Sequence, residues 1–149
     1  MSNLAPIALF CFNRPNHLNE TLKYLKKNDS INKSRIYIFS DAPKEKKDFK
    51  KVEMVRSIIK NLAGFKEKII FFRKNNYGLA KNIINGINYV FRKENKIIVL
   101  EDDLIVDKFF LEYMNKNLDY YKQNHSVASI HGYIYPIDKK NLDHSFFIK

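Results

Sequence analysis

Three adjacent carboxylates, Glu101-Asp102-Asp103, directly follow the apolar run Ile97-Ile98-Val99-Leu100. Like charges crowded at the end of a low-dielectric segment repel one another, and a cation or hydrogen-bond donors must relieve that repulsion. A hard divalent ion such as Mn2+ or Mg2+ takes one or two carboxylates and completes its shell from water and phosphate oxygens. Side chains alternate along an extended segment, so Glu101 and Asp103 share one side while Asp102 turns elsewhere. The plain alternative is a solvated acidic turn with Asp103 near a helix start.

A second group is Asn76-Tyr77-Gly78-Leu79-Ala80-Lys81-Asn82. Gly78 at a helix start lets a phosphate or ribose approach backbone amides, and Lys81 and Asn82 supplement that attraction. Asn13-Arg14 offers an amide beside a permanent cation, suited to a phosphate or a base edge. Asp41 is able to accept from a base N–H or a ribose hydroxyl, or to serve as a helix N-cap. The four histidines show no metal-ligand spacing, although His131 falls near the same region. No Ser-His-Asp or Cys-His constellation, P-loop or G-x-G-x-x-G is present.

These residues need elements to position them. Leu4 to Phe12 is a continuous apolar run too short for a helix and reads as a buried strand. Asn13-Arg14-Pro15-Asn16 breaks it, and His17 to Asn28 carries Leu18, Leu22 and Leu25 at helical spacing. Arg35 to Phe39 reads as a second strand ending at Ser40-Asp41-Ala42-Pro43. A basic amphipathic helix follows, with Phe49, Val52, Val55, Ile59 and Leu62 on its apolar stripe, stopping near Gly64. Lys68 to Phe72 is a third strand, and Leu79 to Phe91 a helix with Leu79, Ile83, Ile87 and Val90 inward. Lys96 to Leu100 is a fourth strand. Asp107 is placed to cap a helix reaching about Lys122, with Phe110, Tyr113, Met114 and Tyr121 along it. Val127 to Ile130 reads as a fifth apolar segment.

Strands alternating with helices over short connections predict an α/β fold: a mainly parallel sheet with helices on both faces. Ligands in such folds bind beyond the carboxyl ends of the strands. That is where Asn13, Arg14, Asp41, Gly78, Lys81, Asn82, Glu101, Asp102 and Asp103 all fall.

The chain has 149 residues, enough for one ordinary domain. Its 45% apolar and 29% charged residues describe a globular chain rather than a disordered one. One cysteine, Cys11, excludes an intramolecular disulfide and a multi-cysteine zinc site, and a reducing compartment is expected. No basic start or small-residue cleavage site marks a signal peptide, and Leu4 to Phe12 is far short of the roughly 20 residues a membrane span needs. The net charge of +11 favours anionic partners, although a lysine-rich solvated surface accounts for it equally well.

In this order the residues resemble the nucleotide-sugar-binding half of GT-A glycosyltransferases, in particular the N-acetylglucosaminyltransferase I family and its bacterial sugar-transferase relatives. The resemblance is carried by Pro6-Ile-Ala-Leu-Phe-Cys-Phe-Asn-Arg-Pro15, Ile38-Phe-Ser-Asp41, Tyr77-Gly-Leu-Ala-Lys-Asn82 and Val99-Leu-Glu-Asp-Asp-Leu104 with Phe109-Phe110. It implies a Rossmann-like fold, a UDP-sugar donor, a Mn2+ or Mg2+ cofactor, and sugar transfer to a glycan or lipid-linked acceptor. It implies further that Asn13 and Arg14 lie beside the nucleotide, Arg14 near base or phosphate. Asp41 would bind uracil and Asn82 the ribose; Asp103 would be the direct metal ligand, Asp102 would meet ribose and Glu101 the donor sugar. Surface-glycan synthesis in a bacterium is the expected setting, with the protein cytoplasmic or peripheral at the inner membrane face. In such enzymes the acceptor-binding part and the catalytic base follow the segment at which residues 1–149 end. No base is therefore assigned, and the 149 residues are expected to form the donor-binding domain alone. An open apolar edge would favour self-association, and basic, aromatic helices peripheral membrane contact.

Two other readings compete. A nucleic-acid-binding domain would use Arg56, Lys60, Lys66 and Arg73, but no aromatic-basic recognition module accompanies them. A phosphotransfer receiver would need acidic residues after the first and third strands, where Asn13-Arg14 and Arg73-Lys74 stand instead.

Overall fold

The computed structural model describes residues 4–133. Four strands, β1 (Ile7–Cys11), β2 (Arg35–Ser40), β3 (Glu67–Phe72) and β4 (Ile98–Glu101), form one parallel sheet in the order β3-β2-β1-β4. Four helices connect or follow them: α1 (Pro15–Leu25), α2 (Phe49–Asn61), α3 (Leu79–Phe91) and α4 (Phe110–Tyr120). The expected α/β architecture is therefore present, with helices on both faces.

The alternation of side chains along the strands separates two cores. Ile7, Leu9, Ile36, Ile38, Ile98 and Leu100 face Leu18, Leu22 and Leu25 of α1, Val55 and Ile59 of α2, and Leu111 and Met114 of α4. Cys11 lies in the same core, and burial pushes its thiol pKa far above the ordinary value, so it behaves as a small hydrophobe.

The opposite face is aromatic. Phe10, Phe39 and Phe71 from three adjacent strands stack at centroid distances of 5.1 and 4.8 Å, and Tyr89 of α3 meets Phe71 edge-on at 4.6 Å. Such pairs add about 0.5–1.5 kcal/mol each beyond area burial. The helix lies so close to the rings that a Cβ built on Gly86 would stand 2.4 Å from Phe10. This proximity adds Gly86 to the inward stripe expected of α3 and leaves Leu79 out of it. Asn82, Gly86 and Val90 are buried, Ile83 and Ile87 only partly so, and Leu79 is 64% exposed. Ile83, Ile87 and Val90 do pack on the aromatic layer as expected, with Gly86 at the closest approach, and Leu79 alone departs from the expected stripe.

Other departures have similarly local causes. Helix α1 begins at Pro15, two residues earlier than expected, because proline at the first helical position lacks only an N–H that would have no partner anyway. Phe49 is 57% exposed because first-turn side chains lean back past the helix end. Glu101 ends β4 as a paired residue opposite Phe10, while Lys96 and Ile97 precede the strand. Asp107 does not cap α4; its carboxylate accepts from Phe109 N–H at 2.9 Å, an Asx turn that ends before the helix. Asn28 caps instead, its Oδ1 accepting from Leu111 N–H at 2.9 Å across 83 residues. Tyr113 on α4 is 47% exposed, whereas Met114 is buried. Val127–Ile130 is not a strand: only Ile130 packs against the core, in a segment that follows a turn at Asn124.

Candidate functional site

The chain runs from β1 outward through β2 to β3, then returns to lay β4 on the other side of β1. Connections thus diverge between β1 and β4, and the loops leaving their carboxyl ends part to form a crevice. The first half of the candidate site lies here. Asp102 turns inward and is 7% exposed, while Asp103 turns out to solvent. Asp102 Oδ2 accepts the Phe12 N–H at 3.1 Å, and its carbonyl accepts the Thr21 hydroxyl at 2.9 Å. These two bonds hold the β1–α1 loop against the end of β4. Burial raises the Asp102 pKa above the ordinary carboxylate value, with Asp103 adding to the effect; the Phe12 N–H, Arg14 and His17 oppose it. Arg14 Nη1 donates to Asp103 Oδ2 at 2.6 Å, with both side chains about half exposed at 53% and 40%.

Among the described residues no group of three or more His, Cys, Asp or Glu is placed to hold a metal ion by itself. At this crevice stands one exposed carboxylate, Asp103, with Asp102 turned inward and Glu101 half-buried beside it. A single exposed carboxylate suits Mg2+ or Mn2+, which accept one or two carboxylates and draw other ligands from phosphate and water.

The second half gathers around Asp41, which is 4% exposed at the end of β2. Its Oδ1 accepts from Ala42 and Tyr77 N–H, both at 2.9 Å. Its Oδ2 accepts from Gly78 N–H at 2.9 Å and from Asn76 Nδ2 at 3.3 Å. A carboxylate has about four lone-pair sites, so its capacity is filled within the chain. Gly78 has φ +74°, a backbone that glycine adopts without strain, and this turns its N–H toward Asp41. The anion expected at the start of α3 is thus partly supplied by Asp41 itself. Lys81 is exposed, its Nζ 5.0 Å from the centre of the Tyr77 ring.

Asn82 is buried and braces the floor of this half. Its Oδ1 accepts from Arg73 Nε at 3.0 Å and its Nδ2 donates to the Phe39 carbonyl at 3.3 Å. Asn13 Nδ2 donates to Asp48 Oδ1 at 2.7 Å just before α2. That bond is the main reason the Asp48 pKa lies below the ordinary carboxylate value; the Glu45 and Lys44 N–H groups reinforce it.

Asn76 and Tyr77 of the second group take part in this half, and Arg73 and Arg56 join it although sequence reasoning left them out of the donor site. Arg73 stands over the Tyr77 ring at 4.7 Å, and its Nη2 is buried with no hydrogen-bond partner among the described residues. Arg56 Nη2 donates to the carbonyls of Asp41 and Arg73 at 3.4 and 2.7 Å. Arg73 was findable, since it directly follows β3. Arg56 carried no signal, being one of many basic residues on α2. Of the four bases named for nucleic-acid binding, Arg56 and Arg73 are engaged inside the fold, and only Lys60 and Lys66 are exposed.

The crystal structure of S. aureus TarS is similar to this chain, with TM-score 0.53 and 13% identity, covering 78% of this chain and 20% of that one. The crystal structure of S. aureus TarS 1-349 gives TM-score 0.54, again at 13% identity and 78% coverage, over 33% of its length. The likeness is one of fold, and this chain spans a third or less of either structure. No curated protein matches it significantly. The family model described as Glycosyl transferase family 2 matches residues 7–148, nearly the whole length, and the chain belongs to that family.

Proposed function

We propose that these residues form the donor-binding domain of a metal-dependent glycosyltransferase, which binds a UDP-sugar for transfer to an acceptor hydroxyl. The observation that carries this reading is the run Glu101–Asp103 at the end of β4, facing Arg14 across the crevice where the sheet order reverses. Family membership supports the reaction class.

On this reading Asp103 is the direct ligand of Mn2+ or Mg2+, and Arg14 meets the diphosphate. Glu101 faces the donor sugar. Asp102 has Oδ2 engaged with Phe12 N–H, which leaves Oδ1 for a ribose hydroxyl. Asp41 and Asn82 serve uracil and ribose. Since both side chains are bonded inside the fold, they do so chiefly by holding Tyr77, Gly78 and Arg73 in place. Arg73 Nη2, buried without a hydrogen-bond partner among the described residues, supports an acceptor-bearing ligand at that end. Gly78 and Lys81 line the approach. A bound divalent ion neutralises diphosphate charge as the nucleotide leaves. Arg14 adds a second fixed charge at the same place, worth most where the crevice excludes water.

No catalytic base is assigned among the described residues. A glycan or lipid-linked acceptor, surface-glycan synthesis in a bacterium, and a cytoplasmic or peripheral membrane location complete the proposal. No helix among the described residues is long and apolar enough to cross a membrane. Val99 on edge strand β4, with Leu104, Ile105 and Phe109 beyond it, is exposed, which supports self-association through that edge.

Calorimetric titration of UDP with and without Mn2+, repeated on Asp103→Ala, tests the proposal. Binding should need the metal and weaken about tenfold or more in the variant. Equal affinity in all three titrations rejects it.

A further inference from the structure

The chain already places a cation on the carboxylate assigned to the metal. Arg14 Nη1 lies 2.6 Å from Asp103 Oδ2, although 89 residues separate them in sequence. Neither backbone is free to drift. Pro15 excludes Arg14 from helical geometry, and the Arg14 carbonyl accepts the Leu18 N–H at 3.0 Å. Phe12 N–H and the Thr21 hydroxyl clamp the neighbouring loop to Asp102. The pair is therefore built into the crevice, with only the two side chains able to separate.

We infer that Arg14 acts as a resident counter-cation that suppresses metal binding at Asp103 until a diphosphate draws it away. The inference rests on the reading of Asp103 as metal ligand. A divalent ion approaching the carboxylate must displace Arg14 or sit beside a like charge, and either weakens binding of the metal alone. A nucleoside diphosphate resolves the conflict. Its phosphate oxygens offer Arg14 a bidentate partner of higher charge and give the metal its missing ligands, while Asp103 becomes available. Metal and nucleotide affinities are then coupled through one side chain, and each strengthens the other by the same factor.

The test is Mn2+ binding, followed by the paramagnetic signal of the free ion, with and without saturating UDP, in wild type, Arg14→Gln and Arg14→Lys. Arg14→Gln should bind Mn2+ alone about five- to tenfold more tightly than wild type, and UDP should enhance that binding by a correspondingly smaller factor. Arg14→Lys keeps the charge and should stay near wild type. Unfolding of Arg14→Gln is not expected from an exposed pair, and a melting curve taken alongside verifies the fold. If Arg14→Gln does not fold, Arg14→Met, which likewise removes the charge while keeping an unbranched side chain, carries the same test with the same expected and overturning results. Equal or weaker Mn2+ binding in Arg14→Gln, with enhancement by UDP intact, overturns the counter-cation role and leaves the donor-site reading standing. Absence of Mn2+ binding in wild type even with UDP overturns both.

Discussion

Asp41 separates two roles that a binding site easily confuses, contact with a ligand and support of the loop that makes the contact. Its carboxylate receives three backbone N–H groups at 2.9 Å and the Asn76 amide at 3.3 Å while only 4% exposed. Replacement by alanine strips the three backbone donors of their acceptor, while Asn76 Nδ2 keeps the Ala42 carbonyl at 2.7 Å. Hydrogen bonds to a charged group contribute about 1.5–3 kcal/mol each, and a buried donor left unsatisfied costs about 1–3 kcal/mol, but neighbouring losses are not additive. Relaxation of loop 76–78 toward water recovers part of the loss, so Asp41→Ala should cost about 4 kcal/mol. Asp41→Asn keeps one oxygen for Ala42 and Tyr77 N–H but turns an NH2 toward Gly78 N–H, and should cost about 2 kcal/mol. The chain has no tryptophan and nine tyrosines, so urea unfolding is best followed by circular dichroism with tyrosine emission as a second probe. With a urea slope of about 2 kcal/mol/M, the asparagine variant should shift the midpoint by about 1 M in the absence of nucleotide. Amide exchange at Tyr77 and Gly78 should quicken in both variants. A residue that only contacted uracil would leave the unliganded protein unchanged. Asparagine within 0.5 kcal/mol of wild type, with protection at Tyr77 and Gly78 retained, would therefore refute the supporting role.

Three further perturbations probe the elements around the site. Gly86→Ala should destabilise by about 1–3 kcal/mol in spite of alanine's better helix propensity, because its Cβ meets the Phe10 ring at 2.4 Å; an unchanged or raised melting temperature would contradict the packing. Asp48 has a lowered pKa, so its contribution is full above the ordinary carboxylate value of about 4 and is lost as pH falls through the native value. The melting-temperature gap between wild type and Asp48→Asn should accordingly be constant near neutrality and close on acidification, and a gap that widens in acid would reverse the sign. Asp102→Asn preserves an oxygen for the Phe12 N–H and removes a buried like charge beside Asp103, so it should melt close to wild type. Asp102→Ala should lose about 1–3 kcal/mol, and urea unfolding of the pair distinguishes the two outcomes.

Much of this protein was legible before any coordinates. Strand and helix assignments followed from local periodicity, which short-range sterics and burial impose on every segment. The rule that ligands gather at strand ends selected Arg14, Asp41 and Asp103 without any knowledge of their partners. What periodicity does not carry is which strand lies beside which. Only the order β3-β2-β1-β4 brings Arg14 onto Asp103, and only the packed ends of β2 and β3 let Asp41 reach Tyr77 and Gly78 across 36 and 37 residues. The inward face of α3 depended on three phenylalanines from three strands, and Arg56 and Arg73 passed for surface bases until carbonyls and rings closed around them. Val127–Ile130 had a strand's composition but took no place in the sheet. A sequence specifies what each segment presents to its surroundings, and the tertiary structure decides what those surroundings are. Hydrogen bonds and ion pairs between distant residues exist only once the sheet has set their separation.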